Sequence, residues 1–433
     1  MVPLNPTPPR DFDAEFDAFA DRVAERAAAR YRAEQEAVTV AEADSWLDAP
    51  LDEEAGPSPF AHPFVWTDPA SIPLRDWLYG QHYIRQFVSA TFSPGGVGKS
   101  ALALAEAMAI ASGKPILGIK PTQRARVAYW NGEDPSDETM RRAMAIALHH
   151  DLGRADLEGW LYLGSGRQDE ITIAIQTPQG ATIVQPNVER VEDQIRRDRI
   201  DVVIIDPFVS SHKATENDNN AIDTVAKMWG KIAGRTNCAV ELVHHTRKTN
   251  GAETTVEDGR GATSLLYASR SARVLNVMTK DEAERAGVDK ARSYFRVDSG
   301  KANLAPPPDG STWYRMASVD LGNGTGIRPS DNVGVVSSWQ WPDPFSGVGA
   351  SDLYAVQKVV DGGSWRENIQ AGDWVGKAVA EAMGLDLEDR AAKQKVKGLL
   401  KTWLSEGVLV RTMGRDATSR ERPMIEVGRW VEL

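Results

Sequence analysis

The apolar positions change their period along the chain. From residue 11 to about 36, Phe12, Phe16, Phe19, Val23 and Ala27 recur at three- and four-residue spacing with charges between them, which predicts an amphipathic helix. Such a helix packs on its own core or, detached, on a partner or a neighbouring subunit. The acidic stretch 51–59 (LDEEAGPSP) reads as a linker and favours the detached arrangement. Between about 60 and 319, strand-like and helix-like patterns alternate. Residues 87–92 predict a short strand, 100–112 a helix stopped by Gly113, and 126–131, 201–205 and 239–243 buried parallel strands. The pattern is that of an α/β fold, a parallel sheet with crossover helices. Residues 322–334 are glycine-rich and weakly patterned. Beyond them, 352–359, 374–382 and 391–406 predict three helices, and 408–412 and 423–427 two strands, the outline of a winged helix. The expected organisation is an N-terminal helix and linker over 1–59, an α/β core over 60–325, a linker over 326–350 and a winged-helix-like domain over 351–433. No internal repeat is visible.

Composition refines this outline at a few points. A chain of 433 residues, 42% hydrophobic and 26% charged, has material for two or three ordinary globular domains. The start is polar and proline-rich, unlike a secretory signal, and no apolar run approaches the ~18 residues of a membrane span. A cytoplasmic protein without membrane attachment is expected. The single cysteine, Cys238, rules out an internal disulfide or a cysteine-built zinc site. The net charge of -11 argues against nucleic acid until it is located: residues 1–60 hold fourteen Asp and Glu against five Arg. The acidity is therefore a tail property, and a basic channel elsewhere is compatible with it. Residues 351–433 are neutral, with thirteen basic and thirteen acidic side chains, which leaves DNA reading and a protein-protein role both open there.

The candidate chemistry begins in the loop 93–100 (SPGGVGKS), set between a predicted strand and a predicted helix. Gly95, Gly96 and Gly98 allow backbone N–H groups to turn inward around phosphates, with Val97 and Ala101 completing the cradle. Lys99 reaches the β- and γ-phosphates, the Ser100 hydroxyl ligates Mg²⁺, and the helix adds its positive end. A glycine-rich turn with a chance lysine is the bland alternative; it leaves the strand before, the helix after and the intact GKS unexplained. A nucleotide, ATP, with Mg²⁺ is the expected ligand. The second metal-side acid is Asp206, ending the apolar strand at the carboxyl edge, where ligands of such sheets gather; Asp201, at the strand's start, is expected to be exposed. Strand 126–131 delivers Glu133 and Asp134 to the same edge. Glu133 is the candidate base for the attacking water, with Asp134 its support. Both also suit a helix N-terminus, and the two roles are compatible. His244 and His245 end the next strand, where a polar side chain can sense the γ-phosphate; without a carboxylate or cysteine cluster they are poor metal ligands. His149 and His150, at a helix end, are expected to be solvated. Loop 246–260 is long, polar and glycine-containing, and is expected to be functional.

Taken together, SPGGVGKS at 93–100, EDP at 133–135, IIDP at 204–207, HHTRK at 244–248, RGATSLL at 260–266 with Arg270, and SGKAN at 299–303 resemble a known family. It is the RepA-type hexameric replicative helicases carried by plasmids, which share the RecA-like fold with DnaB-type helicases. The motifs run in family order over about 65–315, and the serine that opens the P-loop is tolerated there. The resemblance implies a RecA-like P-loop NTPase core in which Glu133 is the catalytic glutamate, Asp206 the Walker B acid and His245 the sensor. It also implies that Arg270 is an arginine finger acting on a neighbour's γ-phosphate, with Lys301 a second basic element at the subunit boundary. Without it, Arg270 reads as a surface arginine on a helix shared with Arg273. The acidic N-terminus and the region beyond 330 have no counterpart in the family core, which leaves polarity, loading and partner choice open.

Two function classes follow. The first is a ring-forming, DNA-stimulated ATPase, a homo-hexameric helicase whose loop 246–260 grips single-stranded DNA through Arg247, Lys248 and Arg260. A replication or loading partner would dock on 11–36 or 351–433. The second is an ATP-switched DNA-binding or scaffold protein that works through its C-terminal winged helix without unwinding. A recombination mediator shares the fold of the first.

Overall fold

The computed structural model describes residues 61, 63–246, 253–258, 262–306, 308–415 and 420–432. The expected N-terminal helix and its linker lie outside these residues, as do Arg247, Lys248 and Arg260. The chain divides into Met1–Pro73 and Leu74–Leu433. In the first, a short 3-10 turn, Pro69–Ser71, is capped by the Asp68 carboxylate, which accepts the Ala70 N–H. The unit that carries the glycine loop begins at Leu74, whereas the pattern of the chain placed its start at residue 60.

In the second unit, the hairpin β1 (Trp77–Tyr79) and β2 (Tyr83–Ile84) leads to β3 (Val88–Ser93) and α1 (Lys99–Ser112). Then come β4 (Val127–Asn131), α2 (Ser136–His149), the short α3 (Arg154–Leu157) and β5 (Leu161–Ser165). A small hairpin, β6 (Ala174–Thr177) and β7 (Gly180–Ile183), precedes α4 (Gln185–Asp198), β8 (Val202–Asp206), α5 (Asn219–Thr236) and β9 (Ala239–His245). After α6 (Ala262–Ala268), β10 (Ser271–Val277) and α7 (Lys280–Ala286) come three long strands, β11 (Tyr294–Ala302), β12 (Thr312–Asp320) and β13 (Asn332–Trp339). The order across the large sheet is β13-β12-β11-β10-β3-β9-β8-β4-β5. From β10 to β5 all neighbours are parallel, while β11, β12 and β13 form an antiparallel extension.

This is the α/β arrangement that the alternating pattern predicts, and it fits the RecA-like P-loop core that the resemblance implies, with the expected strands found within a residue or two. Strands β4 and β8 are apolar on both faces because both faces are covered, whereas β3 and β9 turn Ser89, Thr91 and Glu241 to one side. Along β8, Val202 and Ile204 join the core beneath α1, and Val203 and Ile205 the core on the side of α5. Helix α1 is buried from Leu102 to Ser112, as expected for a helix apolar all round, and ends at Gly113, whose φ of +72° suits only glycine comfortably.

Three expectations are corrected. Residues 332–339, inside the stretch read as a linker over 326–350, form β13, paired with β12 along its length. Only the VGVV run advertises it, and its Val335 and Val336 are buried against the core beneath α1 and α2. His149 and His150 are not simply solvated: their Nε2 atoms lie 2.6 Å from Ser337 Oγ and 2.9 Å from the Val336 carbonyl, pinning α2 to β13. Burial holds His150 below the usual imidazole range. Asp201 is three-quarters covered, because it pairs with Arg85 at 2.6 Å and accepts the Arg126 N–H at 2.7 Å.

The C-terminal elements follow the expected order: α8 (Ala350–Asp361), β14 (Trp365–Arg366), α9 (Val375–Met383), α10 (Arg390–Ser405) and the hairpin β15 (Leu409–Arg415) and β16 (Glu421–Val427). They enclose their own core, with Val356, Val379, Leu399 and Trp403 at its centre. Among the described residues no helix is long and apolar enough to cross a membrane.

Candidate nucleotide site

Six parallel strands run the same way through the sheet, and five of them end in the polar residues gathered at one edge. Cross-strand register sets Ser93 beside His245 and Asn131 beside both Asp206 and Ser165. Between Ser93 and α1 the chain turns through Gly96 (φ +81°) and Gly98 (φ +117°), conformations that side chains with a Cβ rarely adopt. A Cβ on Gly98 would only touch Met316 and Phe295 of the antiparallel extension, at 3.4 and 3.5 Å, so it is the backbone conformation that selects glycine there. Cβ atoms at Gly95 and Gly96 would meet nothing within 4 Å, and both glycines are exposed. No side chain caps the start of α1, which leaves its first N–H groups for an anion. Lys99 is buried at 8% exposure and has no carboxylate within 4.0 Å among the described residues. Val97 is buried, while Ser100 and Ala101 are part-exposed. A cleft of about 560 Å³ opens beside Lys99 and Ser100, walled by Arg141 and Arg142 of α2 and by Asp331–Gly334 at the start of β13.

Asp206 is fully buried at the end of β8. Its Oδ2 accepts the Tyr129 hydroxyl at 2.8 Å, and its Oδ1 is buried without a partner. An orphaned carboxylate oxygen is costly unless something cationic or protic reaches it, and a magnesium ion or its water shell fits that need. Burial, and then the charge of Asp206, push the Tyr129 hydroxyl well above its usual range, so it remains a donor.

Residues 53–251 match the family model described as an AAA domain. The core is a P-loop ATPase of the RecA-like type. Its glycine loop, its Lys99 and its buried Asp206 lie within the matched residues.

Glu133 of the ATPase core stands beyond β4, more than half exposed, with Oε1 3.9 Å from His245 Nε2. Burial, then the charge of Lys99, hold His245 below its usual range against the opposing pull of Glu133, Asp206 and Glu216. The imidazole is therefore neutral at pH 7 and available as a hydrogen-bonding group. His244 points the other way, buried between Phe92 and Phe208 with ring centroids 5.9 Å from each. Asp134 does not support Glu133 as expected. Its carboxylate pairs with Arg142 at 2.8 Å, because α2 begins immediately after Pro135 and brings that arginine back over the loop.

The loop that holds Glu133 is fastened by residues that sequence reasoning passed over. Asn131 Oδ1 accepts the N–H of Glu133 at 2.9 Å and of Asp134 at 2.7 Å, and the Gly132 N–H donates to the Asp206 carbonyl at 2.8 Å. Arg167 Nε donates to the Glu133 carbonyl at 2.7 Å, and Ser165 Oγ to that of Asp134 at 2.6 Å. An Asn-Gly pair directly after a strand is a legible turn signal for the first of these; Arg167 leaves no such trace. Asn131→Ala is expected to lower kcat for ATP about tenfold, since two amide hydrogen bonds at about 1 kcal/mol each position Glu133. An unchanged kcat in steady-state hydrolysis would show that Arg167 and Ser165 hold the loop alone.

Arg270 and Lys301 lie at the opposite edge of the ATPase sheet. The Arg270 N–H donates to the Val88 carbonyl at the start of β3, so the whole length of β3, about 16 Å, separates it from its own P-loop. Its guanidinium is exposed, 5.7 Å from the Phe87 ring. Lys301 pairs across from Ala272 on β11 and donates to the Leu266 carbonyl at 2.6 Å; burial, then Arg270, lower its pKa. Arg270 and Arg273 do not share a helix: α6 ends at Ala268, and Arg273 sits buried in β10, ion-paired with Glu106 of α1 at 2.5 Å.

Proposed function

We propose that the protein is a ring-forming, DNA-stimulated ATPase acting on single-stranded DNA, a RepA-like replicative helicase of a plasmid, phage or other mobile element. The observation that carries this reading is the separation of Arg270 and Lys301 from the P-loop by the full depth of the sheet. An exposed arginine remote from its own phosphate site suits the site of a second copy, and in a ring every copy would then supply one half of two sites. A hexamer is the assembly that the resemblance implies.

In this reading the backbone amides of residues 95–101 and Lys99 hold the triphosphate, with Ser100 and Asp206 as the magnesium ligands. Bound there, the ion would neutralise charge on the β- and γ-phosphates. Glu133 orients and deprotonates the attacking water. Neutral His245, ending the strand beside the P-loop, hydrogen-bonds toward the γ-phosphate and links its presence to the following loop. Arg247, Lys248 and Arg260 in that loop contact strand phosphates, and Arg270 of the neighbour stabilises charge in the transition state.

The decisive measurement is ATP hydrolysis with and without single-stranded DNA, in the wild type and in Lys99→Ala. Stimulation in the wild type that vanishes in the variant is the expected result. Hydrolysis indifferent to DNA would sink the motor. The separate core of 350–427 favours the remaining reading, an ATP-switched DNA-binding or scaffold protein whose winged-helix-like domain selects a site.

A further inference from the structure

The even charge balance of the C-terminal region conceals an uneven distribution. Residues 351–389 carry eight acidic side chains against three basic ones, while 390–429 carry ten basic against four acidic. The basic part begins with α10, on which Lys393, Lys397 and Lys401 follow at four-residue spacing, one per turn and about 6 Å apart along the axis. Lys393 and Lys397, with Arg390, line a groove of about 680 Å³ between α10 and α7, and Lys280 lines it from the α7 side. Arg390 is 3.4 Å from Asp289, whereas Lys280, Lys393 and Lys397 have no carboxylate within 4.0 Å among the described residues. Ala283, Val288 and Ile369 add apolar lining, and Glu284 and Asp289 are the acidic residues that line the groove against four basic ones.

Both flanks of this lysine row are occupied. On one side Val396, Leu399, Leu400 and Trp403 face the C-terminal core. On the other, α10 is clamped: a Cβ on Gly287 would lie 2.7 Å from the Ala391 backbone, and one on Gly398 would lie 2.4 Å from Pro344. Lys395 on that face donates to the Ser346 carbonyl at 2.8 Å. A helix reads duplex DNA by laying its outer face into a major groove about 12 Å wide. Here 287 and 344–346 pack on part of that face, which leaves less room for a duplex. An extended single strand needs only a row of cations at its backbone and a slot beside them.

We propose that the groove between α7 and α10 binds the phosphodiester backbone of single-stranded nucleic acid through Lys280, Lys393 and Lys397. This rests on the reading of the protein as one that works on single strands, and it adds a contact separate in sequence from the loop 246–260. Because α7 follows β10, the strand that begins just after Arg270, a strand held in the groove bridges the ATPase core and the C-terminal domain.

The test is fluorescence anisotropy with a labelled oligothymidine strand and a matched duplex, using the full chain. The samples are the wild type, Lys393→Glu with Lys397→Glu, and the milder Lys393→Gln with Lys397→Gln, each checked by thermal melting. Single-strand affinity is expected to fall about tenfold or more at ~0.1 M salt, with the log–log salt dependence shallower by about 1.4 for two lost contacts. The glutamine pair should show the same slope change with a smaller loss. Unchanged single-strand affinity and slope in both variants would overturn the groove, as would a loss confined to the duplex. Wild type that binds the strand through these lysines but hydrolyses ATP regardless of it keeps the groove and sinks the motor. Stimulated hydrolysis with unaltered variants does the reverse.

Discussion

Alanine at Arg270 is expected to lower ATP turnover of the assembled protein by about 10³-fold or more, with nucleotide binding retained. The retained binding follows from position: Arg270 meets the start of β3, while the P-loop leaves its other end. Mixing supplies the sharper result. In the proposed ring, Lys99→Ala and Arg270→Ala subunits would each be inactive alone, but a mixed ring would contain interfaces where an intact P-loop faces an intact arginine. Activity should therefore return on mixing, to a fraction set by subunit ratio. Arg270→Ala that hydrolyses ATP normally, or a mixture no more active than its parts, would remove the shared site.

The second large effect concerns stability. Glu106 is fully buried in α1 and receives Arg273 through two bonds, Nη1 to Oε1 at 2.7 Å and Nη2 to Oε2 at 2.5 Å. The Tyr83 hydroxyl adds 2.8 Å to Oε2, and Arg273 Nε donates to Thr91 at 2.8 Å. Beside them Glu241, also fully buried, accepts from Ser89 and Thr91 and lies 2.9 Å from His82 Nε2, itself out of line for a good hydrogen bond. Burial opposes the Arg273 charge, but the carboxylate of Glu106 outweighs it and holds the guanidinium protonated. Glu106→Ala strands that charge in the core, at a cost of about 3–5 kcal/mol and a drop in melting temperature on the order of 10 °C. Glu106→Leu with Arg273→Met, which removes both charges at similar volume, should recover most of the loss. A single-variant loss under about 1 kcal/mol would mean that water reaches the pair.

The site was legible in proportion to how local its signals are. The glycine loop, the apolar strand ending in Asp206 and the strand before Glu133 can each be read within ten residues, because strand period, helix period and glycine φ are short-range properties. Asp134 was misread, since the arginine that claims it arrives from a later turn of α2. His149 and His150 were misread for the same reason, their partners lying on β13. Arg273 carries no mark of burial in the chain; only the pairing of β10 with β3 puts it beneath α1, opposite Glu106.

What the chain determined by itself, then, is the α/β alternation, the phosphate loop and the edge of the sheet at which polar residues collect. A parallel strand leads its next loop to that edge whatever its neighbours are. The tertiary structure alone decided that Arg270 lies at the far edge, that 332–339 closes the sheet as β13, that two carboxylates sit at the centre of the core, and that the lysines of α10 open onto a groove rather than a free face. Each of these depends on contacts between segments far apart in sequence, and residue periodicity records which face a side chain takes, never which segment it will meet.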